Sequence, residues 1–201
     1  MSRTEHFNSW LMDYLKLSSS PLPGMLVLEG PPGSGKTTLL NEWFDLHGAR
    51  RGDPVTSRTL RPHFPQDDPS PSLVAQLFTA VHGETPTQCS RRLIEELGSQ
   101  PLSRSATDLW REAADHLKYK IDLLIIDQAE RFSLILCQCV RDYLFDQRVC
   151  SLLLVGSARL LTTLQRDPSI TSRVFARHTI TDFDQPLKEF LLADTKETTE
   201  P

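Results

Sequence analysis

Residues 25–40 read MLVLEGPPGSGKTTLL, and the fold follows from this stretch. Met25 to Leu28 make a short apolar run ahead of Glu29, as expected of a buried strand. Gly30, Pro31, Pro32, Gly33, Ser34, Gly35, Lys36 and Thr37 then satisfy G-x-x-x-x-G-K-[ST], and Thr38 leads into an apolar-periodic segment through Phe44 and Leu46. Backbone N–H groups must meet phosphate oxygens, so such a loop needs glycine wherever a side chain would block the approach. The helix beginning near Lys36 adds its unpaired amino-terminal donors and the positive end of its dipole. Residues 30–38 are therefore the expected nucleotide-binding set, with Lys36 on the β- and γ-phosphates and the Thr37 hydroxyl on Mg²⁺. ATP and Mg²⁺ are the expected ligands.

The 201 residues suffice for one α/β domain with a proper core. A composition 39% apolar and 24% charged is that of a soluble globular chain, and no apolar run is long enough to span a membrane. The first residues, MSRTEHFNSW, lack the apolar core of a signal peptide, so a cytoplasmic location is expected. Cys89, Cys137, Cys139 and Cys150 contain no C-x-x-C pair and read as buried free thiols rather than metal ligands or disulfides. A net charge of −4 excludes a globally basic nucleic-acid coat but permits a local basic patch.

Phe7, Trp10, Leu11, Tyr14 and Leu15 recur at helical spacing, so residues 6–17 form an amphipathic helix expected to dock in cis. SSSPLPG (18–24) links it to the first strand. Beyond the Lys36 helix, residues 55–64 are β-rich, and LVAQLFTAVH (73–82) has helical periodicity ending at Gly83. A polar stretch after Pro86 leads into Leu93 to Leu97, and residues 109–117 form a helix. IDLLIID (121–127) and SLLLVG (151–156) are strands, separated by a helix over 134–145. Apolar strands alternating with helices imply a mainly parallel sheet covered on both faces. The organisation expected is a helix and linker (1–20), an ATPase core (21–192) and a disordered acidic tail (193–201).

Asp127 closes the LLIID strand, where a P-loop protein places its second metal-binding carboxylate; the metal set is thus Thr37 and Asp127. Gln128 follows, where many such ATPases carry a glutamate that activates water. A carboxamide can hydrogen-bond a water but cannot take its proton, so slow or absent hydrolysis is expected. Glu130, two residues on, is expected to face solvent or a basic neighbour.

Four stretches, GPPGSGKTTLLNEWF, LLIIDQAERF, LLLVGSARLLTTLQRDPSITSRVF and SPSLVAQLFTAVHG, carry a resemblance to the TniB/TnsC-type AAA+ ATPases of bacterial transposons. The resemblance implies a three-layer α/β/α P-loop AAA+ fold; with 28 residues after Arg173, the carboxyl-terminal lid is expected to be short or absent. It implies that Ser157, at the end of the SLLLVG strand, is the sensor 1 residue that positions water. Arg173, in an S-R-V-F context, matches the arginine finger that reaches a neighbouring subunit, with Arg166 and Arg159 next in line. Family members assemble as ATP-dependent rings or filaments on duplex DNA and join a target-selection protein to the transposase, so those are the implied partners. Arg50, Arg51, Arg58, Arg61 and His63 cluster in an otherwise acidic chain and are the expected DNA contacts, with Arg91–Arg92 and Arg104 as the fallback. The competing readings are an AAA+ ATPase of another clade (a replication-initiator-like loader or a defence ATPase) and a scaffold that holds ATP without hydrolysing it.

Overall fold

The structure, a computed structural model, describes residues 2–17, 23–46, 59–60, 74–118 and 120–181. Helix α1 (Arg3–Leu17) precedes strand β1 (Met25–Glu29), α2 (Lys36–Leu46), β2 (Thr59–Leu60) and β3 (Ala75–Thr79). Then come α3 (Pro86–Glu96), α4 (Ala106–Leu117) and β4 (Leu123–Asp127), with a 3-10 turn at Ala129–Arg131. Helix α5 (Leu134–Cys139) runs on as a π-helical segment over Val140–Phe145 and leads to β5 (Ser151–Gly156). Helix α6 (Ala158–Leu164), the single turn α7 (Pro168–Thr171) and β6 (Val174–Thr179) complete the described chain.

The strand order is β2-β3-β4-β5-β1-β6, with every pairing parallel except the antiparallel edge pair of β2 and β3. Alternation of side chains along each strand divides the core in two. Leu26, Leu28, Leu123, Ile125, Leu153 and Val155 pack under α1 and α2, while Val27, Leu124, Ile126, Leu152 and Leu154 pack under α3 to α6. This is the expected three-layer α/β/α arrangement. Strands β1, β4 and β5 are buried at every position, which is why they read in sequence as unbroken apolar runs.

Two sequence expectations are corrected. Residues 75–79, read as part of a helix, form β3, held between β2 and β4. Ala75, Gln76 and Phe78 are all buried, so the segment lacks the polar alternation that marks a half-exposed strand. The segment after Pro86, read as polar chain, is α3. Its start is fixed by a capping box: the Thr85 hydroxyl accepts from Gln88 N and the Gln88 side chain accepts from Thr85 N, with Pro86 at the first helical position.

Helix α1 docks in cis, as expected. Phe7 and Leu11 are fully buried, each burial being worth about 1.5–3 kcal/mol. Phe7 meets Trp43 edge-on at 5.9 Å, and Trp10 stacks on His178 of β6 at 5.1 Å. All four cysteines are free: Cys89, Cys137 and Cys150 are buried and Cys139 is half-buried. Burial pushes the Cys137 and Cys150 thiols up to about 12. The thiolate is the reactive form, and at pH 8 a thiol with that pKa is ionised to only about one part in ten thousand. Ellman's reagent should therefore label native protein slowly at pH 8 and all four thiols rapidly in denaturant. Fast labelling of more than Cys139 in the native state would contradict this packing.

Among the described residues, no helix is long and apolar enough to cross a membrane. The expected tail lies outside the described residues.

Candidate nucleotide site

The carboxyl ends of the parallel strands share one edge of the sheet, the place where open α/β sheets bind ligands. Register defines that edge closely. Glu29 pairs with Gly156 on one side and Thr179 on the other, and Thr79 pairs with Asp127. Strand β5 lies between β1 and β4, so its tip separates the glycine-rich loop from Asp127. Gly30 N donates to the Gly156 carbonyl at 3.1 Å, joining the loop to that tip.

The loop needs its glycines. A Cβ at Gly30 would run into the Ile180 side chain and approach the Ser34 hydroxyl to 2.8 Å. Gly33 and Gly35 have φ of +77° and +82°, in the left-handed region that disfavours other residues. Lys36 curls into the loop, where its ammonium donates to the carbonyls of Gly30 at 2.8 Å and Pro31 at 2.9 Å and to the Ser34 hydroxyl at 3.3 Å. A cation held by neutral oxygens at a helix amino terminus is complementary to a phosphate.

Thr37 and Asp127 meet: the Thr37 hydroxyl donates to Asp127 Oδ2 at 2.7 Å, across 90 residues of chain. Asp127 is 2% exposed, and its other oxygen accepts from Gln128 N at 2.8 Å. A buried carboxylate is stable only beside positive charge or ample hydrogen bonding. Here its hydrogen bonds come from a hydroxyl and a backbone amide, both neutral, and the Thr37 and Asp127 oxygens are hard ligands of the kind a divalent cation takes. Among the described residues there is no cluster of three or more His, Cys, Asp or Glu that could cage a metal. The protein thus offers a hydroxyl and one carboxylate, the arrangement suited to a metal arriving with phosphates.

A family model of the AAA domain matches residues 22–164, most of the chain. The chain belongs to the AAA domain family. No curated protein matches it. The match runs from just before β1 to the end of α6, so it takes in the loop, Asp127 and Ser157 and leaves α1, Arg173 and β6 outside. Membership makes this a P-loop ATPase domain, which binds nucleotide with a divalent metal.

Within the AAA domain, Gln128 sits on the turn leaving β4 with φ 56° and ψ 35°. A non-glycine residue in this region costs about 1–3 kcal/mol, and such strain persists where the surroundings impose a side-chain direction. Here the Asp127 carboxylate holds the Gln128 N–H. Ser157 is buried directly beyond Gly156, the last residue of β5, which pairs with Glu29 and accepts from Gly30 N.

Glu130 departs from expectation. Rather than facing solvent or a basic group, its carboxylate is half-buried and accepts from Ser157 N at 3.3 Å. It passes so close to β5 that a Cβ at Gly156 would lie 2.7 Å from Glu130 Oε2. The 3-10 turn after Gln128 folds back on the sheet and points residue 130 at the neighbouring strand tip. Gly156 was the available signal, since a glycine closing a buried strand marks a close approach.

The arginine candidates separate. Val174 pairs with Met25, so Arg173 lies at the amino-terminal edge of the sheet, about 16 Å from the loop at 3.3 Å per residue along β1. Arg173 donates to Asp146 at 2.6 Å and to the Ser169 carbonyl, and Asp146 raises its pKa further. Arg159 and Arg166 are exposed, Arg159 two residues past Ser157. Sequence reasoning missed Arg177, which grips the buried Glu29 beside the loop, with Nε donating at 2.8 Å. Glu29 is thereby neutralised by a cation of the protein itself.

Of the expected DNA contacts, Arg50, Arg51, Arg58, Arg61 and His63 all lie outside the described residues. Arg92 is withdrawn as an alternative. It bonds Glu84 at 2.7 Å and Glu96 at 2.6 Å and covers the Phe78 ring at 4.0 Å. Arg91 and Arg104 are exposed.

Proposed function

We propose that this AAA domain is an ATP- and Mg²⁺-dependent regulator of DNA transposition that assembles through its nucleotide sites on duplex DNA and links target selection to a transposase. The observation behind the assembly half is the distance between Arg173 and the loop of its own chain. An arginine at the far edge of the sheet can serve a phosphate only in a second copy, whereas finger residues stabilise transferring phosphoryl groups at contact range. The transposition half rests on the sequence resemblance alone, strongest in VGSARLLTTLQRDPSITSR.

In this reading, loop N–H groups and Lys36 bind the phosphates of ATP, and Thr37 with Asp127 holds Mg²⁺. Bound Mg²⁺ would draw charge from the phosphate oxygens. Gln128 and Ser157 orient the attacking water by hydrogen bonding, and neither accepts its proton at neutral pH. The ATP-bound form is therefore long-lived, which suits a protein whose nucleotide holds an assembly together. Gln128 equally favours a second reading, a scaffold that never turns ATP over.

Electron microscopy with duplex DNA should show rings or filaments with ATP, and neither with ADP nor with Arg173→Ala. DNA affinity measured by fluorescence anisotropy should fall steeply between about 50 and 200 mM salt with little dependence on sequence, since phosphate contacts carry no base information. A protein that stays monomeric with ATP and DNA, or binds no DNA, would remove the transposition reading. Assembly without phosphate release would select the scaffold.

A further inference from the structure

The amino-terminal helix reaches the phosphate loop. Helix α1 lies along α2, the helix whose amino terminus forms the cradle. Two side-chain bonds fix the pair: Thr4 donates to Glu42 at 3.0 Å, and Trp43 Nε1 donates to Asn8 Oδ1 at 3.0 Å. Phe7 and Leu11 are buried beneath them. At the open end of this contact the Arg3 guanidinium donates to the Ser34 carbonyl at 2.9 Å. Its Nη1 lies 3.3 Å from where a Cβ on Gly35 would stand, so Arg3 lies against two successive loop residues.

The Ser34 carbonyl and the Gly35 N–H belong to one peptide unit. A cation on the carbonyl polarises that unit, which strengthens its N–H as a donor and fixes its orientation. The loop N–H groups are the phosphate donors of the nucleotide reading, on which this inference rests. We infer that Arg3 is a positioning residue of the nucleotide site, and that it couples docking of α1 to binding of a nucleoside triphosphate. The coupling is reciprocal: if docked α1 tightens the phosphate cradle, bound nucleotide must tighten the docking of α1 by the same factor. The Thr4, Asn8 and Phe7 contacts transmit it, because they hold α1 to the helix that carries Lys36 and Thr37. Position 35 accepts only a residue without a side chain, for its φ of +82° and for the nearness of Arg3.

The test uses the full chain in four forms: wild type, Arg3→Ala, Arg3→Met and Lys36→Ala. ATP affinity is measured by calorimetry, and hydrogen exchange of residues 4–12 is followed with and without saturating ATP. Arg3→Ala and Arg3→Met should each weaken ATP binding at least fivefold, the lower end of ordinary coupling between sites. Arg3→Met keeps the apolar stem, and it decides the matter should the alanine variant fail to fold. ATP should slow exchange in α1 of the wild type and leave it unchanged in Arg3→Met at saturation. A merely structural arginine would shift exchange equally with and without ATP.

Arg3→Met affinity within twofold of wild type, while Lys36→Ala loses binding, would overturn the inference and leave the nucleotide site standing. ATP-dependent protection of α1 that persists in Arg3→Met would also overturn it. Unchanged binding in Lys36→Ala would overturn the nucleotide reading on which it rests.

Discussion

Gln128→Glu should raise the rate of ATP hydrolysis at least tenfold, read as phosphate release at saturating ATP with duplex DNA present. The two side chains are nearly isosteric, and neither gains an advantage at φ 56°, so the turn that carries residue 128 stays as it is. What changes is proton affinity: a carboxylate accepts the proton that the attacking water must lose, and a carboxamide does not. General-base catalysis contributes typically about 10²–10⁴-fold, so a tenfold rise is a low threshold. Glu130 adds a second arm. Its carboxylate already sits at the tip of β5 beside Ser157. If Gln128→Glu stays as slow as the parent, water activation is not what limits the rate. Loss of the residual rate in Glu130→Gln would then make Glu130 the carboxylate that matters.

Lys36→Ala should weaken ATP binding tenfold or more by calorimetric titration, each decade being worth about 1.4 kcal/mol. The ammonium is the charge aimed into the loop, and its present partners, the carbonyls of Gly30 and Pro31, are neutral. Exchange of a neutral acceptor for a phosphate oxygen turns a bond from a cation to a dipole into an ion pair, adding the attraction between opposite charges. The loop should keep its shape in the variant, because Gly33, Gly35 and the Gly30–Gly156 hydrogen bond hold it independently of the lysine. An unchanged affinity would exclude the phosphate-loop assignment and everything built on it.

Those residues were legible because their constraints are local. The spacing from Gly30 to Thr37 is imposed by one loop, and Asp127 is marked by the apolar run ending on it. Strands β1, β4 and β5 were legible because burial on both faces leaves only apolar residues in them. Burial also hid β3: Ala75, Gln76 and Phe78 are buried without alternation, so LVAQLFTAVH satisfies a helical period as well as a strand. Periodicity reports which faces are wet, and a strand with one exposed residue in five carries too little of it to tell strand from helix. Helix α3 is different, since Thr85, Pro86 and Gln88 spell its start in the sequence itself.

The sequence by itself determined a strand–loop–helix phosphate site, a second carboxylate, a carboxamide where a base is usual, and a parallel sheet to carry them. It did so because each is a short stretch whose residue types are dictated by neighbours in the chain. Only the tertiary structure decided which distant residues meet. It inserted β5 between β1 and β4 and brought Thr37 to Asp127 across that strand, with Ser157 buried beyond the tip of β5. It turned Glu130 inward, set Arg173 at the opposite edge of the sheet, and laid Arg3 against Ser34. Strand order and helix docking come from burying two faces of one sheet together. That free energy is shared by the whole core, so no short stretch of sequence records it.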